Sequence, residues 1–148
     1  MSDESRKNDF VLPIGKAKIE RPGKDITIVS LSRNVGFSLG AAAELKQKYG
    51  VEAEVINLRS IKPFDVETII KSLKKTGRLM SVESGFPMFG VGSEILALTM
   101  EYGFDYLTAP AARVTGAEVP TPYAAGLEAM SFPQVDTIVG QAAKVLRL

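Results

Sequence analysis

The amino-acid sequence predicts a single α/β domain built on a mostly parallel sheet with helices on both faces. Three features carry that expectation. The hydrophobic spacing switches repeatedly between the strand and helix values of about 2 and 3.6, as in chains that alternate strands and helices. The main strand-like run is apolar at nearly every position instead of alternating, as a strand covered on both faces requires. Finally, 148 residues, 45% hydrophobic and 24% charged, suit one packed core.

Met1 to Phe10 is polar and charged and is expected to be a flexible lead-in or linker remnant, leaving 11–148 as the folded domain. It lacks the apolar stretch of a signal peptide, and no later apolar run is long enough to cross a bilayer. Ala17 to Glu20 reads as a short strand, and Ile26 to Leu31 as a β-branched, almost wholly apolar one. Between them, Arg21-Pro22-Gly23-Lys24 has the order of a type II turn, with φ fixed first and positive second. These two strands are therefore expected to pair as a hairpin at one sheet edge.

From Asn34 to Tyr49, Val35, Leu39, Ala42 and Leu45 mark one helical face, and Lys46, Lys48 and Gly50 suit its carboxyl end. Glu52 to Leu58 is the next strand. Lys62-Pro63-Phe64 then interrupts, and Asp65 is a good N-cap for a helix over Val66 to Lys75. In that helix Val66, Ile69, Ile70 and Leu73 share a face, and Gly77 closes it. Arg78 to Glu83 reads as a strand, Ser84 to Gly90 as a loop, Gly92 to Tyr102 as a helix and Ala111 to Thr115 as a short strand. An irregular stretch from Gly116 to Pro133 precedes a last helix with Val135, Ile138, Val139, Ala142 and Leu146 on one face.

Composition excludes much chemistry. The chain has neither Cys nor His. There is no thiolate nucleophile, disulfide or thiolate metal site, and no imidazole ligand or Ser-His-Asp relay. A net charge of +1 gives no global pull toward nucleic acid.

Ligands of open α/β sheets bind beyond the carboxyl ends of the strands, so the loops there are the candidates. Ser32 and Arg33, at a helix start, could add donors to a backbone anion site. The dinucleotide glycine fingerprint is absent there, however, and Gly36 with Gly40 more simply lets another helix approach. Gly90-Val91-Gly92 resembles the fingerprint only in part, and a tight strand-to-helix turn accounts for it. Phe86, Pro87, Met88 and Phe89 crowd large apolar groups into an expected surface loop, and Pro120, Pro122 and Tyr123 repeat that theme. A protein interface is the preferred reading over loops folded back on their own domain. Glu83 and Glu118, each near a strand end, are better read as a cap or ion-pair partners than as proton-transfer groups.

Four longer runs stand in a distinctive order: Leu12 to Glu20, Val55 to Pro63, Glu83 to Ile95 and Arg113 to Ala124. Together they resemble the C-terminal domain of pyruvate dehydrogenase beta subunits, mitochondrial versions above all, over about Phe10 to Leu148. The resemblance implies the transketolase C-terminal-like fold: a three-layer αβα domain whose five-stranded, mostly parallel sheet has one antiparallel edge strand. It implies a mitochondrial matrix location and an intact heterotetramer that oxidatively decarboxylates pyruvate and acetylates the lipoyl group of the acyltransferase core. Thiamine diphosphate and magnesium would be held by the alpha subunit and the preceding beta domain, so this segment is expected to bind no cofactor or metal and to have no catalytic residue.

The implied partners are the alpha subunit, a second beta subunit and the peripheral subunit-binding domain of dihydrolipoyl acyltransferase. The implied docking resembles an ion-pair clamp, with basic partner groups meeting the C-terminal carboxylate, here on Leu148, and an acid before the last strand. That acid falls at Thr108, where the family usually has Asp, and Asp105 is the nearby acid that could compensate. Phe37 also departs from the family's usual polar residue and is counted, with Phe86 to Phe89, Pro120, Pro122 and Tyr123, in the expected subunit interface. The alternatives are the same domain from a branched-chain 2-oxoacid dehydrogenase and a stand-alone module binding a small anion at Ser32 and Arg33.

Overall fold

The computed structural model describes residues 11–148, so the expected lead-in lies outside the described residues. The strands are β1 (Lys18–Arg21), β2 (Ile26–Ser30), β3 (Ala53–Asn57), β4 (Leu79–Val82) and β5 (Ala112–Val114). The helices are α1 (Asn34–Tyr49), α2 (Val66–Thr76), α3 (Val91–Gly103), α4 (Ala125–Met130) and α5 (Val135–Leu146). All five strands join one sheet in the order β1-β3-β2-β4-β5. β2 to β5 run parallel, and β1 lies antiparallel along β3 with a bulge between Ile19 and Arg21.

Alternation along the strands sorts the core into two halves. Ile26 and Ile28, Ala53 and Val55, Met80 and Val82 face α1 and α5, meeting Ala41, Ala42, Leu45, Ile138, Val139 and Ala142. Val29, Ile56 and Leu79 face the other way, onto Ile69 and Leu73 of α2 and Ile95 of α3. Burial on both faces is why these strands lack polar alternation. Asp65 caps α2 as expected, accepting from Thr68 N–H at 3.2 Å, and Gly77 closes it at φ 68°.

Two local expectations fail. β1 does not pair with β2, because β3 lies between them. The link from β1 to β2 crosses the end of β3, where Lys24 and Asp25 N–H both donate to Glu52 O at 2.9 and 3.1 Å. The crossover through α1 lays β3 parallel on β2 and leaves β1 only β3's outer edge. Gly23 has no positive φ, so the type II turn is not formed. Glycine is needed there because a Cβ would collide with the backbone of Glu52 to Glu54.

The Gly36 and Gly40 pair also divides. Val135 at the start of α5 lies 3.2 Å from where a Gly40 Cβ would stand, while Gly36 faces open space. The stretch expected to be irregular contains α4, and a 3-10 turn at Phe104–Tyr106 follows α3.

A buried polar network ties the β1–β2 link to α2. Glu54, fully buried on β3, accepts from Ser72 Oγ at 2.5 Å, from Gly23 N–H at 3.2 Å and from Lys75 Nζ. Thr27 Oγ1 lies 2.6 Å from Ser72 Oγ and 2.7 Å from Thr76 Oγ1. Burial alone would push the Glu54 carboxyl up, but the hydrogen bonds from Lys75, Ser72 and Gly23 outweigh it and hold it below the ordinary glutamate value.

Candidate docking surfaces

The two apolar loops, distant in sequence, meet at the carboxyl ends of β4 and β5. Gly116 N–H donates to Gly85 O at 2.9 Å, and Ala117 N–H to Ser131 O at 2.9 Å. Arg113, whose side chain leaves β5 toward the Ser84–Gly90 loop, clamps it: Nη1 donates to Pro87 O at 2.5 Å and to Ser93 Oγ at 2.6 Å. Held this way, the loop projects Phe86, Met88 and Phe89 outward; on the second loop Pro120 and Tyr123 are exposed and Pro122 is half-buried. Phe89 is 95% exposed and sits at φ 57°, a left-handed conformation costing a non-glycine residue on the order of 1–2 kcal/mol. Exposed Glu118 lines a cavity with Pro87, Met88, Phe89, Ser93 and Arg113. The clamp residues Arg113 and Ser93 escape a reading by sequence; the only hint is a long cation in a short strand.

Glu83 is a cap. It is 5% exposed, and its Oε1 accepts from Gly92 N–H at 2.8 Å at the start of α3. A Cβ on Gly90 or Gly92 would stand 2.5 or 2.6 Å from that oxygen. The glycine pair therefore makes room for the chain's own carboxylate where a dinucleotide fold would cradle a phosphate.

The Ser32 and Arg33 region is similarly committed. The Arg33 guanidinium lies 4.8 Å from the Phe132 ring centroid and 5.7 Å from that of Phe37. Half-buried Phe37 also packs against the core. Buried Asn34 exchanges hydrogen bonds with Ser84 Oγ at 3.0 and 3.2 Å. Glu83 lines the small cavity in front of Ser32 and Arg33, so an anion entering it would face a carboxylate. These residues do not fit a diphosphate, and the described residues contain no cluster of acidic side chains able to hold a metal.

The other candidate groups lie along the β5 edge. Thr108 N–H and Oγ1 both donate to Gly77 O, at 2.8 and 2.9 Å, so the hydroxyl is turned to its own backbone. Asp105 is exposed in the 3-10 turn, and Leu148 is exposed after the left-handed Arg147, its N–H donating to Ala143 O at 3.0 Å. The end of α5 runs beside the residues that follow Thr108: Ala109 to Ala112 share a cavity of about 270 Å³ with Gln141, Lys144, Val145 and Arg147. The structure thus brings the end of α5 beside the residues that follow Thr108, with Lys144 and Arg147 adding positive charge there.

The family described as "Transketolase, C-terminal domain" matches residues 15–138. The chain is a transketolase C-terminal domain. Over 148 residues this transketolase C-terminal domain is 72% identical to "Pyruvate dehydrogenase E1 component subunit beta, mitochondrial" of Chaetomium thermophilum, covering 100% of the chain and 39% of that subunit. To the subunit of the same name from Saccharomyces cerevisiae it is 59% identical, covering 100% of the chain and 40% of the subunit. The Homo sapiens subunit is 56% identical, with 98% of the chain and 40% of the subunit covered. The domain therefore spans about two fifths of the length of these relatives. Among solved structures, "Split gene transketolase, inactive beta4 tetramer" superposes with a TM-score of 0.80 at 26% identity, covering 95% of the chain and 44% of that protein. A Pichia stipitis transketolase, at 17% identity and a TM-score of 0.52, shares the fold alone.

Proposed function

We propose that the chain is the C-terminal assembly and docking domain of a mitochondrial pyruvate dehydrogenase beta subunit. The observation that carries this is the 72% identity, along the whole chain, to a subunit of that name. In this reading the intact heterotetramer, in the mitochondrial matrix, decarboxylates pyruvate with thiamine diphosphate and magnesium and acetylates the lipoyl group of the acyltransferase core. The cofactor sits on the alpha subunit and the preceding beta domain, and this domain supplies contact surface. The clamped loops with Phe86, Met88 and Tyr123, together with Phe37, serve subunit contact. The edge with Asp105, Thr108 and the Leu148 carboxylate serves the acyltransferase's basic subunit-binding domain.

Rigidity supports an assembly role. A loop ordered before binding loses less entropy on association than a mobile one. Titrating thiamine diphosphate into residues 1–148 is expected to release no binding heat. Supplying the preceding beta domain and the alpha subunit is expected to restore thiamine-dependent decarboxylation, with pyruvate preferred over branched-chain 2-oxoacids. Cofactor binding to the 148-residue chain by itself, or a preference for branched substrates, would refute the assignment as stated.

A further inference from the structure

The adjacent parallel strands β2 and β4 send their chains in opposite directions. β2 continues through α1 to β3 on one side, and β4 through α3 to β5 on the other. α1 packs on one face of the sheet and α3 on the opposite face. Such a reversal opens a crevice beyond the carboxyl ends of the two strands, where open α/β sheets take their ligands. Here it holds a cavity of about 300 Å³, walled by residues 31–34 after β2 and by residues 83–85 with Val91 after β4.

Glu83, the buried charge in that wall, has only half of its carboxylate engaged. It is 5% exposed, and Oε1 accepts from Gly92 N–H. Among the described residues no hydrogen bond reaches Oε2 and no cation pairs with the carboxylate. Arg33 lines the same cavity, but its guanidinium is held over the Phe132 and Phe37 rings. Asn34 and Ser84 bond to one another, and the Val35 and Gly36 N–H groups at the start of α1 donate to Ser32 O and Arg33 O. The cavity is therefore left with a charged acceptor and few free donors. A carboxylate withdrawn from water with one neutral donor is costly until a cation completes it.

We propose that this cavity binds a small molecule through its primary alkylammonium group, with Glu83 Oε2 as the anionic partner and the Ser32 hydroxyl as a second acceptor. Leu31 and Val91 supply apolar wall for the carbon stem. The other ligand classes fit less well. An anion meets the carboxylate. A divalent metal wants several hard oxygen ligands, and no group of three acidic side chains stands together among the described residues. A neutral molecule leaves the buried charge without a counter-charge. A primary ammonium brings one positive charge and three N–H donors, and a cavity at the small end of the ligand-pocket range suits a short stem.

The test titrates propylammonium chloride into the 148-residue chain, followed by amide NMR, beside sodium chloride, potassium chloride and sodium acetate at equal concentration. Saturable shifts at Gly85, Gly92 and the Asn34 side-chain amide are expected at millimolar amine, a range set by so few ligand atoms. No saturable shift, or the same shifts from any of the three salts, overturns the proposal. Glu83→Gln keeps an acceptor for Gly92 N–H while removing the charge, and is expected to weaken amine binding at least about 10-fold. Because that change alters a buried group, Ser32→Gly gives a second measurement. Ser32 already holds φ at 54°, which glycine adopts freely, so the fold should stand while loss of the hydroxyl weakens binding about 3-fold. Unchanged affinity in either variant overturns the proposal. Equilibrium dialysis of radiolabelled propylamine against the beta chain assembled with the alpha subunit is expected to keep the Glu83-dependent site. Its loss there assigns the cavity to a side chain of a neighbouring subunit and overturns the small-molecule reading. Only this last arm presumes the assembly proposed above, and an assembly that fails to decarboxylate counts against that function and not against the site.

Discussion

The loops at the carboxyl ends of β4 and β5 and the edge carrying Asp105, Thr108 and Leu148 present their groups in opposite ways. The loops are cross-braced by Arg113, Ser93, Gly85 and Gly116, and their exposed groups are large and apolar. At the edge Thr108 is turned inward onto Gly77 O, while Lys144 and Arg147 line a cavity with Ala109 to Ala112. A surface of the first kind stores its ordering cost in the fold and suits permanent contact, since rigid apolar anchors carry interface energy. A surface of the second kind relies on a few charges, so its strength follows salt and single substitutions.

The largest expected effect tests the bracing from beneath. Gly92→Ala would put a methyl group onto the Glu83 carboxylate and the buried Ser81 Oγ, at a cost of about 2–3 kcal/mol from overpacking. That corresponds to roughly 4–12 °C in melting temperature, measurable by calorimetry. An unchanged melting point would show that Glu83 can swing away, and that the loop is looser than its hydrogen bonds imply.

At the edge, Thr108→Asp restores the acid of the implied clamp. It is expected to tighten acyltransferase-domain binding about tenfold at low salt, near 1.4 kcal/mol, less than the 2–5 kcal/mol lost when a fully buried pair is broken. Amidating the Leu148 carboxylate should weaken the same binding and flatten its salt dependence. If titration calorimetry shows neither change, the edge is not the docking site and the contrast between the two surfaces collapses. Arg113→Ala, smaller still, removes the donor that Pro87 O and Ser93 Oγ share, leaving Pro87 O only the 3.3 Å bond from Ser93 Oγ, and should cost about 1 kcal/mol. Its signature is faster amide exchange confined to 84–90.

The buried acids sharpen the same contrast. Glu54 has a cation and two further donors, whereas Gly92 N–H is the hydrogen-bond donor that Glu83 meets among the described residues. With Glu54 held below its ordinary value of 4.5, its contribution is present above that value and is lost as pH falls through the lower folded one. Asp65 behaves alike: burial raises it, but hydrogen bonds from Ala17 N–H and from Thr68 outweigh that and lower it below its ordinary 3.8. Stability should therefore be level down to about pH 5 and fall below it, and Glu54→Gln should show a shallower fall in acid-unfolding titrations.

The helices α1, α2 and α5 and the covered strands are legible in the sequence because burial on one face or two writes a period into neighbouring residues. α4 is not, since none of its residues is buried and no apolar stripe marks it. The apolar residues of the two loops could be picked out singly from Phe86 to Phe89 and from Pro120 to Tyr123. Their union into one surface could not, because it depends on the Gly116–Gly85 bond across a sheet.

By itself the sequence determined the layer architecture, the absence of imidazole and thiol chemistry, and the residues that project from loops. Each follows from composition or from spacing within a few residues. Only the tertiary structure decided that β1 pairs with β3, that Glu83 fills the space between Gly90 and Gly92, and that Arg113 locks a loop twenty-six residues before it. Those contacts join residues far apart along the chain, where strand order and steric fit set the outcome and local preference has no say.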